Sequence, residues 1–425
     1  MQETVHSSAP VDATGVVPWE ASYSEQLASA RGFRVLKIAP TPFFADYGCH
    51  VRIYEEAKAL ARLQQDVVIC TYPSGRNIEG LNILRSMSLF RGDVRVGSSR
   101  HKYYLDAALS TMAMRTALRY RPDVIHGHLH EGALIGLAIG HAVRRPLVFD
   151  FQGSLTAEMI DHGFLRPASW SHGIFRRIEA VVNRGADAII TSSRPAADLL
   201  VREFGCPARK IFPVPDGVDT EVFQPLGAYS EAERYRIRHA LGIPAGRKVV
   251  VYLGLLAEYQ GCTHLLEAAR SVVAAEPVTH FLLMGYPGEE RYRELARRLG
   301  IADHCTFTGR VPYERAPRYL AAGDVAVAPK LSRTEANGKL LNYMALQLST
   351  VAFDTPVNRD ILGPAGVFAT VGDSKSLAEK LLFLLRDDVE ATSRGRALRQ
   401  RAETHYDWTA AARSIVEVYA RVSGR

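Results

Sequence analysis

The sequence has no apolar run approaching the roughly 18 residues that span a bilayer, and its start lacks the apolar stretch that follows a basic beginning in a secretory leader. These absences predict a cytoplasmic protein, with peripheral contact at the inner face of a membrane left open. Cysteine is scarce and odd in number: Cys49, Cys70, Cys206, Cys262 and Cys305 are scattered, with no Cys-x-x-Cys pair. That excludes a disulfide framework and a zinc site, leaving reduced packing residues. No Asp-x-Asp stands in a loop suited to a divalent ion, so neither a metal nor another cofactor is expected. Acidic residues are outnumbered, 45 against 52 Lys and Arg, which gives a net charge of +7. Such a charge suits phosphorylated or anionic-lipid partners. The basic residues are dispersed and no nucleic-acid motif is present, so nucleic acid is not an expected partner.

What is there is long enough for two cores. At 425 residues the chain should divide into two domains. Residues 1–32 lack apolar periodicity and read as a mobile tail. An N-terminal domain is expected over 33–225, a linker over 226–246, a second domain over 247–405 and a returning helix over 406–425. Apolar strand runs recur at 33–39, 66–70, 124–125, 147–150 and 188–191, then at 248–254, 281–285, 306–309, 325–328, 350–354 and 366–370. Helical segments lie between them, which predicts an α/β fold of two doubly wound halves.

The richest stretch is 324–354. Val325 and Val327 alternate in one strand and Val351 and Phe353 lie in another, while Leu340, Leu341, Met344 and Leu348 between them fall at helical spacing. This is a βαβ unit, whose polar loop lies at the carboxyl end of a parallel sheet, where open α/β sheets bind ligands. In that loop Gly338 permits close backbone approach, the helix start favours an anion, and Lys339 adds a point charge. The plainer alternative is that Glu335 and Asn337 merely cap the helix.

The order acidic Glu335, Gly338, apolar helix with Met344-Ala345, then Val351-Ala-Phe-Asp-Thr-Pro356 resembles the donor-site signature of the retaining GT-B-fold glycosyltransferases of family 4, the glycosyl transferases group 1. The segments 122–128, 186–193 and Val214-Pro-Asp216-Gly217-Val-Asp219 resemble strand ends of that family's first domain. The resemblance implies two Rossmann-like domains facing a cleft, a nucleoside diphosphate sugar donor and a hydroxyl acceptor. It places the nucleobase near Gly309-Arg310, the ribose near Asn342, and the diphosphate over Gly338-Lys339, with Asn337 alongside and Glu335 orienting sugar hydroxyls. On the acceptor side it points to Gly48 in the first loop and to Asp150-Phe-Gln152-Gly153; His126 and His128, which follow a strand, read as core or cleft residues, with His128 preferred as the cleft-facing one.

Several positions depart from the pattern. The family has Glu where Asn342 stands and His where Gln152 stands; Gln152 can position a group but cannot take up a proton. In the loop from Gly254 to Gly261 the family has Arg and Lys where Leu255 and Gln260 stand, so two cations beside a diphosphate are missing. Lys330 and Lys339 are the candidates to replace them. The implied activity is hexose transfer with retention, assisted by Glu335, Lys339 and Gln152; the alternative is a degenerate GT-B protein that binds without turnover. An epimerase should need charged acid/base residues where Gln152 stands, and a Rossmann oxidoreductase should carry Gly-x-Gly-x-x-Gly after an opening strand, which neither half does. Residues 162–185, with Trp170, Phe175, Arg176 and Arg177, read either as an ordinary amphipathic helix with snorkelling arginines or as an interfacial helix on anionic lipid.

Overall fold

A computed structural model describes residues 32–44, 48–87, 102–161, 164–167, 169–332 and 336–425. Among these, β1 (Arg34–Ala39), β2 (Asp66–Thr71), β3 (Asn82–Arg85), β4 (Val124–His128), β5 (Leu147–Phe151), β6 (Ala188–Thr191) and β7 (Ile211–Pro213) form a sheet in the order β3-β2-β1-β4-β5-β6-β7. A second sheet follows from β8 (Lys248–Leu253), β9 (Thr279–Met284), β10 (Cys305–Gly309), β11 (Val325–Ala328), β12 (Ser349–Phe353) and β13 (Val367–Ala369), in the order β10-β9-β8-β11-β12-β13. The neighbouring strands run parallel, for example β1 beside β4 and β8 beside β11. Helices cover both faces of such sheets, so their strands are apolar throughout rather than alternating; all five residues of β12 are buried. Strand order reverses between β1 and β4 and between β8 and β11. Those two switch points are where crevices open at the carboxyl ends.

The expected strands are present, and the structure adds β3 and β7. Neither was legible: β3 alternates exposed with half-buried residues, and β7 is three residues long and ends in Pro213. The helix expected to include Leu348 is shorter, Lys339–Ala345, because Gln347 takes a left-handed backbone (φ 66°) and turns the chain into β12. In the stretch read as a linker, the helix Glu231–Ala240 is fastened to the second half: Arg234 and Arg238 both bond Asp324, at 2.8 Å. Pairing these guanidiniums with one carboxylate fixes the helix beside the start of β11.

The halves are joined by a mixed apolar seam. Phe44 and Tyr54, from the first half, meet the Tyr313 ring of the second at 6.5 and 6.2 Å, and Phe223 meets it at 5.6 Å. The buried rings of Phe44, Phe223 and Tyr313 each contribute on the order of 1.5–3 kcal/mol. The terminal helix Trp408–Ser423 returns to the first half, burying Trp408, Ala411, Ala412, Ile415, Val418 and Tyr419 at helical spacing. Its entry is anchored where Val218 N donates to the Tyr406 carbonyl at 2.7 Å and Gly217 lies against the Trp408 ring. A Cβ on Gly217 would come within 2.8 Å of that ring, so only glycine fits.

Candidate active site

The loop after β8, where the expected Arg and Lys are missing, receives a lysine from another element. Gly254 (φ 150°) and Gly261 (φ 75°) bend the chain around a one-turn 3-10 helix, Glu258–Gln260. Into this loop comes the side chain of Lys339, from the first turn of the helix after β11. Its Nζ donates to Gln260 Oε1 at 2.7 Å and lies 4.5 Å from the centre of the Tyr252 ring. A Cβ on Gly254 would stand 2.6 Å from that nitrogen, so the glycine makes room for the ammonium. Lys339 thus places a positive charge at the loop where Leu255 and Gln260 carry none. Arg310, exposed beyond β10, stacks 5.4 Å from Tyr286 at the neighbouring strand end.

Gly338 precedes that helix and, lacking a side chain, cannot cap it, while Leu340 N and Leu341 N donate to the Asn337 and Gly338 carbonyls at 3.0 and 3.1 Å. It faces the first half: a Cβ built on Gly338 would be 3.7 Å from Asp216 Oδ2. The helix is only seven residues long, shorter than the sequence pattern implied. Lys330 is buried and donates to the Ala336 carbonyl at 2.8 Å, fastening the loop rather than reaching toward Lys339. Asn337 is buried too, its Nδ2 bonded to Asn358 Oδ1 at 2.8 Å. Asn342 is half-buried on the same helix, Gly309 turns the chain with φ 70°, and Glu335 lies outside the described residues.

Opposite, the first half holds a buried charged network. Arg52, on the helix Gly48–Arg62, donates from Nε to both oxygens of Asp150, at 2.9 and 3.0 Å, and from Nη1 to Asp216. Asp150 also bonds His128 Nδ1 and accepts from Gln152 Nε2, each at 2.8 Å. Gln152 therefore turns its amide nitrogen inward and leaves its Oε1 as the part that can accept a hydrogen bond at the loop surface. Lys37, in the middle of β1, bonds Glu56 and lies 3.4 Å from His128 Nε2. His126 Nδ1 meets Tyr419 Oη, from the returning helix, at 2.6 Å.

Burial opposes charge on Asp150, yet Arg52 and His128 hold its carboxyl well below the usual range. Burial, and then the Lys37 ammonium, depress His126 and His128, so both imidazoles stay neutral near pH 7. Glu56, His126, His128 and Asp150 place potential ligand atoms within 4.8 Å of one another. The positive charge among them is nevertheless the protein's own: Lys37 sits on Glu56 and Arg52 on Asp150. An added cation would meet both.

His128 was expected to face the cleft and is instead fully buried, as is Asp150; a charged or polar residue at the end of a central parallel strand is covered by the next layer. Gly153 is also buried, and Gly48 is exposed at the first turn of its helix with open space where a Cβ would stand. The structure brings Gly254, Gln260, Gly261 and Lys339 into one loop cluster. Arg52, Lys37 and Glu56 were missed in the sequence. A signal existed: Lys37 interrupts the apolar run Val-Leu-Lys-Ile-Ala, and a lysine inside a central strand requires a buried partner.

Residues 247–387 match the family model for glycosyl transferases group 1, and residues 47–217 that for the glycosyl transferase 4-like domain. The 2-deoxystreptamine N-acetyl-D-glucosaminyltransferase of Streptomyces fradiae is 31% identical over 318 residues, 72% of this chain and 69% of that protein. The phosphatidyl-myo-inositol mannosyltransferase of Mycolicibacterium smegmatis is 28% identical over 309 residues, 71% of this chain and 72% of that protein. Among solved structures, Anabaena HepE in complex with UDP and glucose superposes with a TM-score of 0.72 at 18% identity, covering 91% of this chain and 98% of that one. That likeness carries the fold, two parallel-sheet halves in the GT-B arrangement.

Proposed function

The chain belongs to the glycosyl transferases group 1 family and is a glycosyltransferase of GT-B fold, and from that premise we propose that it moves a hexose, with retention, from a nucleoside diphosphate donor to a hydroxyl acceptor. The observation that carries this reading is the Lys339 ammonium held in the Gly254–Gln260 loop beside Gly338. A leaving diphosphate needs positive charge preorganised where its own charge grows. Lys339 would supply it without a divalent ion. In this reading the base lies near Gly309 and Arg310, the ribose near Asn342, and Glu335 orients the sugar hydroxyls. Gln152 presents its Oε1 to a sugar or acceptor hydroxyl, positioned by Asp150.

Retention then follows a front-face course. As the bond from the anomeric carbon to the leaving oxygen breaks, the acceptor oxygen bonds on the same face and its proton passes to a donor phosphate oxygen. Proximity and leaving-group stabilisation carry the barrier. The nucleotide-bound neighbour HepE is consistent with such a donor. The decisive test is thermal stabilisation by a panel of nucleotide sugars, followed by product analysis of the stabilising donor with EDTA present. A ligand at about 100 times its dissociation constant adds about 2.7 kcal/mol. No stabilisation by any donor would remove the proposal. Stabilisation without transfer or hydrolysis would favour the second reading, a degenerate binder, which Leu255, Gln260, Asn342 and Gln152 motivate.

A further inference from the structure

The helix Trp170–Gly185 buries Glu179, Val182 and Asn183 and leaves its opposite side bare. Trp170 is 83% exposed, Ile174 45%, Ile178 38% and Val181 60%, and the steps of four, four and three put them in one stripe. Phe164, just before the helix, is 51% exposed. Arg177 and Arg184 lie exposed along this stripe, and the helix's one carboxylate, Glu179, faces inward. An amphipathic helix normally turns such residues to the core. Here the pattern is inverted, and water meets the apolar side.

We propose that this face docks on an anionic phospholipid surface, with Trp170 and the aliphatic stripe entering the headgroup boundary and the arginines meeting lipid phosphates. Charge decides between occupants. In a two-fold pairing with a second copy, the stripe would bring Arg177 against its own counterpart. A stripe of four apolar side chains is also narrow for a stable protein interface, which needs about 800 Å² per partner. Trp at an interface with flanking arginines suits the polar boundary of a bilayer.

The fold ties this face to the site. Between β5 and β6 the chain forms the short helix Leu155–Asp161 and then this one, so both belong to the connection that begins at the Gln152 loop. Glu179 reinforces the link by accepting from Leu155 N at 3.1 Å and from Thr156 Oγ1 at 2.7 Å, directly after the Gln152 loop. Docking would set that connection beside the bilayer and favour an acceptor hydroxyl carried on a lipid. This corollary rests on the acceptor-side reading of Gln152; the docking does not.

The test is cosedimentation of the full chain with vesicles of phosphatidylcholine alone or with about one phosphatidylglycerol in three lipids. Binding is expected to the anionic vesicles, weakened by high salt. Arg177→Gln should lower partitioning by about fivefold, and Trp170→Ser with Ile174→Ser should abolish it, while each variant keeps the wild-type melting temperature. A blue shift of Trp emission on binding, lost in Trp170→Phe, places the indole at the boundary. Absence of binding to anionic vesicles, or binding untouched by these substitutions, overturns the proposal. So does a wild-type dimer that these substitutions convert to monomer, because the stripe would then face a second copy. Vesicle binding involves no donor, so its failure leaves the transfer chemistry standing, and failed donor binding leaves the docking standing.

Discussion

Replacing Lys339 separates its two roles. In the free protein the ammonium donates to Gln260 Oε1 at 2.7 Å and rests 4.5 Å from the Tyr252 ring. Gln260 is buried, so Lys339→Ala strands its carbonyl oxygen, at a cost of about 1–3 kcal/mol, and removes a cation–π contact of about 0.5–1 kcal/mol. Lys339→Met keeps most of the packing and isolates the charge. In the donor complex the lost interaction is a charge-assisted hydrogen bond, about 1.5–3 kcal/mol, which converts to roughly 10- to 150-fold in affinity. Isothermal titration of a nucleoside diphosphate against both variants, with unfolding curves alongside, measures the two effects separately. Lys339→Met should lose roughly tenfold or more in affinity while Lys339→Arg retains most of it. If Lys339→Met binds the diphosphate as the parent does, the idea that this lysine stands in for the missing cations is wrong.

Gly261→Ala would place a Cβ 1.9 Å from the Pro329 carbonyl oxygen in a backbone with φ 75°, so a loss of about 2 kcal/mol or more is expected in urea unfolding; a change under about 0.5 kcal/mol would contradict the loop geometry. Asp150→Ala leaves Arg52 buried without its main partner, and denaturant midpoints should report a loss of roughly 3–5 kcal/mol. Burial, with Arg247 and His304 nearby, lowers His280 to about 4. Its folded value lies below its unfolded one, so between pH 6.5 and about 4 the unfolded chain takes up a proton that the folded chain refuses, and stability falls as pH drops through that window. His280→Gln, which can keep the bond to Thr306, should flatten that part of the melting-temperature profile, and an unchanged slope would refute the assignment.

The sequence alone carried the two-sheet architecture, because strands buried on both faces are written as unbroken apolar runs and the helices between them keep their own period. It also carried the family, through the order of residues around 324–354. It offered Lys330 and Lys339 as candidate substitute cations, and the fold turns the first to the Ala336 carbonyl and the second to Gln260. What it could not carry was anything that depends on pairing distant residues. That Lys339 crosses to Gln260, 79 positions away, is decided by the parallel neighbours β8 and β11. That His128 turns inward follows from a layer holding Lys37, Arg52 and Asp150, which come from three separate elements. In sequence the segment 162–185 reads either as an ordinary amphipathic helix or as an interfacial one, and only packing, through Glu179 and Val182, shows which side was buried. Periodicity is a local property of covalent spacing and is written in the chain; the side that faces inward, and the partner of each buried charge, are set by neighbours that only the folded chain brings near.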